Sequence, residues 1–214
     1  MKVKLVGYTQ PSEEFKDDFS SVKDLVAFCA RVSNPNNQFN TATSDKLIKY
    51  LIKHKHWSPL EMASATLEIE TTRDIARQLL RHRSFSFQEF SQRYADPTKD
   101  LDFEYRDARL QDLQNRQNSI ITDNTELDTE WKNRQKQILD LVKTNYQWAI
   151  DNGIAKEQAR AILPEGMTKS RLYVSGTIRS YIHYIEVRTE ESTQLEHRQL
   201  AQAVSKAISK IFEI

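Results

Sequence analysis

Three arginines, Arg73, Arg77 and Arg81, recur at every fourth position, a spacing that on a helix stacks them on one face. Gln78 and His82 border that face, and Asp74, the only carboxylate nearby, projects about 100° away from it. Stacked cations repel one another, so their natural counterpart is an anionic ligand or an acidic neighbouring element. A solvated basic face is the plain alternative. The next stretch, residues 81–93, reads RHRSFSFQEFSQR. Ser91 and Arg93 set a hydroxyl two residues from a guanidinium, which suits a phosphate. Glu89 can accept hydrogen bonds from a sugar or base, and Arg81 with Arg83 suits a pyrophosphate.

Side chains must do this work, because the backbone devices are missing. The four glycines, Gly7, Gly153, Gly166 and Gly176, are never closer than ten residues, so neither a dinucleotide fingerprint nor a P-loop can be written. The single cysteine, Cys29, excludes an intrachain disulfide, a multi-cysteine zinc site and a CxxC redox pair. It falls on an apolar helical face and reads as a small buried hydrophobe rather than a nucleophile; no metal site is expected. Lys and Arg number 31 against 30 Asp and Glu, a net charge of +1, which gives no bulk electrostatic case for nucleic acid. No run of about 18 apolar residues exists, and the N-terminal stretch lacks the apolar core of a signal peptide, so a cytoplasmic protein without a membrane span is expected.

The elements that must position these residues follow from periodicity. Residues 2–9, 64–71, 84–90 and 169–176 alternate as strands. Helical spacing predicts helices from Val22 behind a Ser20 or Ser21 cap, over 44–54, from a Thr71 or Thr72 cap through His82, over 127–151, up to Leu163, over 177–187, and over 190–212. Ser58-Pro59-Leu60-Glu61 combines a cap, a proline at the first helical position and a glutamate three residues after the cap. On the long helix the expected inward stripe is Trp131, Ile138, Leu141, Val142, Tyr146 and Ile150. Residues 97–130 are polar, with weak periodicity, and read as a variable insertion. The mean hydropathy of −0.69 favours helices with narrow apolar stripes. The expectation is one α+β domain over residues 1–214, helix-rich, with a mixed or antiparallel sheet flanked by helices.

The pattern RHR-x-x-S-x-x-x-x-S-x-R formed by Arg81, His82, Arg83, Ser86, Ser91 and Arg93 resembles that of the flavin-dependent thymidylate synthases. Ala30-Arg31-Val32-Ser33, His56-Trp57-Ser58-Pro59-Leu60-Glu61, Arg160-Ala161-Ile162-Leu163-Pro164, and Arg179, His183 and Arg188 match other family segments in the same order. The resemblance implies FAD contacts at Ser58, Arg81, His82, Arg83, Ser84, Glu89, Thr177, Arg179 and His183. It implies nucleotide contacts at Gln78, Arg81, Glu89, Phe90, Ser91, Gln92, Arg93, Arg160 and Arg188. It also implies a homotetramer with shared sites, in which Arg160 serves a neighbour, and reductive methylation of dUMP to dTMP with methylenetetrahydrofolate and NADPH as co-substrates. Arg188 is the position that holds and polarises the uracil ring. Gln88, Gln92, Thr177, His183 and Ser192-Thr193-Gln194 depart from the family's common residues. The competing readings are a non-catalytic nucleotide- or RNA-binding module that stacks bases on Phe85, Phe87 and Phe90, and a structural helical oligomer.

Overall fold

A computed structural model of the chain describes residues 1–212. The alternating segments form β1 (Lys2–Tyr8), β2 (Ser64–Thr72), β3 (Ser86–Glu89) and β6 (Lys169–Thr177), while β4 (Arg109–Gln111) and β5 (Ser119–Ile121) make a separate hairpin. The main sheet runs β1-β2-β6-β3 and every pairing is antiparallel. β6 thus slots between two strands that precede it by some eighty residues or more. Alternation gives the sheet two unlike faces. Ala65, Leu67, Ile69, Leu172 and Val174 enter the core with Ile178, Tyr181, Ile182, Leu200, Val204 and Ile208. The opposite face is charged: Lys4 Nζ lies 3.0 Å from Glu68, and Arg171 Nη2 donates to Glu70 at 2.6 Å.

The helices are α1 (Val22–Ala30), α2 (Ser44–Lys53), α3 (Arg73–Leu79), α4 (Pro97–Asp100), α5 (Thr125–Asp151), α6 (Lys156–Ala159), α7 (Ile178–Arg188) and α8 (Leu195–Ile208). Ser21 caps α1, accepting from the Asp24 amide at 3.2 Å. Cys29 is half-buried on that helix, and burial raises its thiol pKa, which keeps it in the unreactive form. Val32 lies past the helix end and is exposed. Arg31 beside it is buried and donates to Asn40 O and, at 2.8 Å, to Thr43 Oγ1.

Three expected helical bounds need correction. α3 ends at Leu79 rather than His82; the amides of Arg81 and His82 bond back three residues, and the chain is drawn off the helix as Phe85 packs 4.8 Å from the Tyr181 ring. Arg81 therefore leaves the stack with Arg73 and Arg77. Ser58–Glu61 is a 3₁₀ turn capped at Trp57, with Ser58 inside it. Residues 190–194 stay outside α8, which begins at Leu195.

On α5 the inward row is Gln135, Leu139, Val142, Tyr146 and Ala149, packed with Phe103, Ala159 and Leu163 in a second small core. Trp131, Ile138, Leu141 and Trp148 point outward instead. The helix carries two apolar stripes, and periodicity alone selected a mixture of them. Residues 97–130 are also anchored: Arg106 donates to Gly166 O at 3.2 Å, Thr72 Oγ1 at 2.6 Å and Asp74 Oδ1 at 3.0 Å.

Gly176 sits where β6 passes beneath Phe85, and a Cβ built there would overlap the edge of that ring. Gly176→Ala is expected to cost about 1–3 kcal/mol, the usual size of overpacking. Chemical denaturation checks it, and an unchanged midpoint would show that Phe85 can move aside.

Candidate active site

The first group of side chains lies at the start of α7. Trp57, Glu61, Ser84, Arg179, Ser180 and His183 line a cavity of about 340 Å³. Thr177 caps α7: its Oγ1 accepts from the Ser180 amide at 3.2 Å, and Ser180 Oγ donates to Ser84 O at 3.2 Å. This ties the end of the Arg-His-Arg segment to the helix. Arg179 is not free, since it pairs with Glu61; both are about half exposed, so the pair is weak and an anion can displace the carboxylate. Ser58 is exposed beside Trp57.

A second group lies between β3, α3 and α6. Glu89 Oε1 accepts from Ser170 Oγ at 2.7 Å and from Arg73 Nη1 at 3.3 Å. Arg77 Nη2 meets Glu165 at 2.5 Å, so the two arginines that remain on α3 have found an acidic neighbouring element. Gln92 is buried, and its Nε2 has no hydrogen-bond partner among the described residues. Arg93 Nε stands 3.4 Å from Glu157 Oε2, and Arg160 Nε donates to Glu157 O at 3.3 Å. Arg73, Arg77, Gln92 and Arg160 share the wall of a cavity of about 420 Å³. Ser91 Oγ turns back to the Arg93 amide at 3.4 Å. Phe90 is half-buried, its amide donating to Arg171 O at 2.8 Å. Phe85 is buried and Phe87 packs on the same core, which removes both from the base-stacking reading.

The third group centres on His82. Arg188 Nε donates to His82 Nε2 at 2.9 Å. An imidazole nitrogen that accepts carries no proton, so His82 is neutral with its hydrogen on Nδ1. Burial first, then the charges of Arg188, His183 and Arg81, push its pKa down to about 4. The Tyr184 ring packs edge-on at 5.0 Å. On the other side, Gln78 Nε2 donates to Gln194 Oε1 at 2.8 Å, and Gln78 Oε1 lies 3.1 Å from His197 Nδ1. His197 is fully buried, and burial together with Arg188 and His82 lowers its pKa to about 3. The sequence reading missed His197 and Glu196; a histidine in register with the buried Leu200, Ala201 and Val204 was the available signal.

Among the described residues Arg81, Arg83, Arg160 and Arg188 form no ion pair with a carboxylate, whereas Arg73, Arg77, Arg93 and Arg179 do. No hydrogen bond or ion pair joins Arg93 or Arg160 to Gln78, His82 or Arg188 among those residues. Arg93 and Arg160 gather at Glu157, whereas Gln78 and Arg188 gather at His197 and His82.

The two depressed histidines set an acid dependence of stability. Between pH 6.5 and about 4 the unfolded chain binds protons that native His82 and His197 refuse, so stability falls as pH drops through that window and neither contributes near pH 7. His197→Leu is expected to flatten the fall. Denaturant midpoints at pH 7 and pH 5 test this, and parallel losses in both proteins would remove His197 from the cause.

Fold and site together define an α+β protein whose arginines, rather than backbone amides, are set out for anionic ligands. The family model for thymidylate synthase complementing protein matches residues 17–213. A probable flavin-dependent thymidylate synthase of Paramecium bursaria Chlorella virus 1 is 47% identical over 212 residues, covering 99% of this chain and 95% of that protein. The flavin-dependent thymidylate synthase of Synechocystis sp. is 46% identical over 213 residues, covering 99% and 96%. A crystal structure of a UMP/dUMP methylase from Streptomyces cacaoi bound with 5-Br dUMP superposes with a TM-score of 0.76 at 26% identity, covering 98% of this chain and 90% of that one. The chain belongs to the flavin-dependent thymidylate synthase family.

Proposed function

We propose that this enzyme carries out the reductive methylation of dUMP to dTMP, with methylenetetrahydrofolate as carbon donor and NADPH as reductant of a bound FAD. The observation that carries this is the Arg188–His82 contact: Nε is spent on a neutral imidazole, which leaves the two Nη groups as a fixed, permanently charged fork. Such a fork beside a uracil imide favours the negative charge that builds as the ring is activated. Ser91, Arg93 and Arg160 suit the nucleotide phosphate, with Gln92 and Phe90 beside them, while Glu89 suits the sugar. Arg81, exposed and without a carboxylate partner among the described residues, suits either ligand.

FAD, when bound, supplies the hydride that reduces the transferred carbon to a methyl group. The residues present fit such a group. Among the described residues Arg81 and Arg83 pair with no carboxylate, no glycine loop competes for the pyrophosphate, and Ser58, Ser84, Thr177, Arg179 and His183 surround or adjoin the cavity at α7. At about 340 Å³ that cavity is at the small end for a ligand site, so one chain encloses part of a dinucleotide. This supports a homotetramer with shared sites, in which Arg93 and Arg160 come from one chain and Gln78 and Arg188 from another. The outward Trp131, Ile138, Leu141 and Trp148 of α5 offer apolar surface for such contacts. We place the enzyme in the cytoplasm; no helix among the described residues is long and apolar enough to cross a membrane.

Mixing tests the shared site. Arg160→Ala chains and Arg188→Ala chains, each poorly active alone, are expected to regain activity when unfolded and reassembled together, because some sites then draw Arg188 from an Arg160→Ala chain and Arg160 from its Arg188→Ala neighbour. No recovery in mixed tetramers shown to form would sink the sharing, and formation of dTMP from dUMP by the wild-type protein tests the reaction itself.

A further inference from the structure

Glu196 opens a hydrogen-bond chain with only one possible direction. Its Oε1 accepts from Arg109 Nη2 at 2.6 Å and lies 3.0 Å from Arg106 Nη1. Burial works against its charge, but the Arg109 hydrogen bond and the Arg106 charge hold its pKa below the ordinary value. An ionised carboxylate can only accept, so the atom of Gln194 that meets Glu196 Oε2 at 3.0 Å is its Nε2. Gln194 must then turn Oε1 to Gln78, which donates Nε2 to it at 2.8 Å. Gln78 is left facing His197 with its own oxygen, and the His197 nitrogen 3.1 Å away, Nδ1, must carry the proton. The chain ends there: His197 Nε2 is buried without a hydrogen-bond partner among the described residues. The rings of Tyr184 at 5.8 Å and His82 at 6.5 Å, and the cation Arg188, are what His197 faces. None is a carboxylate that would charge the imidazole.

We infer that Glu196 and His197 are positioning residues that fix which end of the Gln78 carboxamide faces which way, so that Gln78 meets the nucleotide with a set donor and a set acceptor. This rests on the reading of Gln78 as a nucleotide contact. A primary amide free to flip offers the right pattern only part of the time, and a lock from both sides removes that loss before binding. Two of the four hydrogen-bonding positions of Gln78 are used in the lock, leaving one Nε2–H and one Oε1 lone pair for a ligand.

His197→Leu keeps the buried volume and removes the Nδ1 donor, whereas His197→Asn restores an N–H near the Nδ1 position. Measured on the FAD-loaded full chain, His197→Leu is expected to raise the dUMP KM about five- to tenfold, the worth of one neutral hydrogen bond, with a smaller effect on kcat and unchanged FAD retention. His197→Asn is expected to recover most of the loss. Nitrogen-15 NMR of histidine-labelled protein should show His197 as the neutral Nδ1–H tautomer from pH 6 to 8. A charged ring or an Nε2–H tautomer overturns the proton-ordered chain, and equal behaviour of the Asn and Leu variants overturns positioning. Gln78→Leu separates the two readings. If it weakens dUMP binding while His197→Leu does not, only the positioning fails; if it has no effect, the nucleotide role of Gln78 fails and the inference falls with it.

Discussion

Arg81→Ala is expected to yield a folded protein that no longer retains FAD. Arg81 is exposed, lies past the end of α3 and meets no carboxylate among the described residues, so its whole charge is available to a phosphate. A charge-assisted hydrogen bond contributes about 1.5–3 kcal/mol, or roughly a ten- to hundredfold loss in affinity. Arg179→Ala should cost less, because Arg179 must first release Glu61. Flavin absorbance of the purified variants, followed by FAD titration, measures both. Equal retention by Arg81→Ala and wild type would remove Arg81 from the pyrophosphate.

Arg188→Lys and Arg93→Ala are expected to fail in different ways. Lysine keeps the charge of Arg188 but cannot both hold His82 through one nitrogen and present a planar pair to a ring. A contact that strengthens as ring charge develops acts on the transition state, and losing such a donor costs about 10²–10³ in rate. Arg188→Lys should therefore lower single-turnover flavin oxidation more than it weakens dUMP binding. Arg93→Ala removes largely uniform phosphate binding, so it should chiefly raise KM by about tenfold. Wild-type flavin oxidation by Arg188→Lys at saturating dUMP and methylenetetrahydrofolate would end the ring-activation role.

Much of the fold could be read locally. Alternation located β1, β2, β3 and β6 to within a few residues, because a sheet with one dry face imposes period two on each strand. The sequence left undecided that β6 runs between β2 and β3, since strand order depends on contacts about a hundred residues apart. The early end of α3 was hidden because Arg81 and His82 continue a good helical pattern; the pull of Phe85 into the core is a tertiary effect. Arg73, Arg77, Arg81 and Arg93 stood out as candidates by type and spacing, and Arg160, Arg179 and Arg188 by the family resemblance, yet which of them pair with carboxylates could not be read. Arg77 and Arg179 look like Arg81 in the sequence, and only the folded chain shows Glu165 and Glu61 beside them. The lock on Gln78 was out of reach for the same reason, as it joins residues 116 and 119 positions apart.

The central claim is tested most directly by one anaerobic turnover. FAD-loaded enzyme reduced with NADPH is mixed with dUMP and methylenetetrahydrofolate labelled at the transferred carbon, and flavin absorbance and nucleotide product are followed together. The account predicts one labelled dTMP for each flavin oxidised, with no oxidation when dUMP is left out. Flavin oxidation without dTMP, or no oxidation while dUMP is shown to be bound, would contradict it.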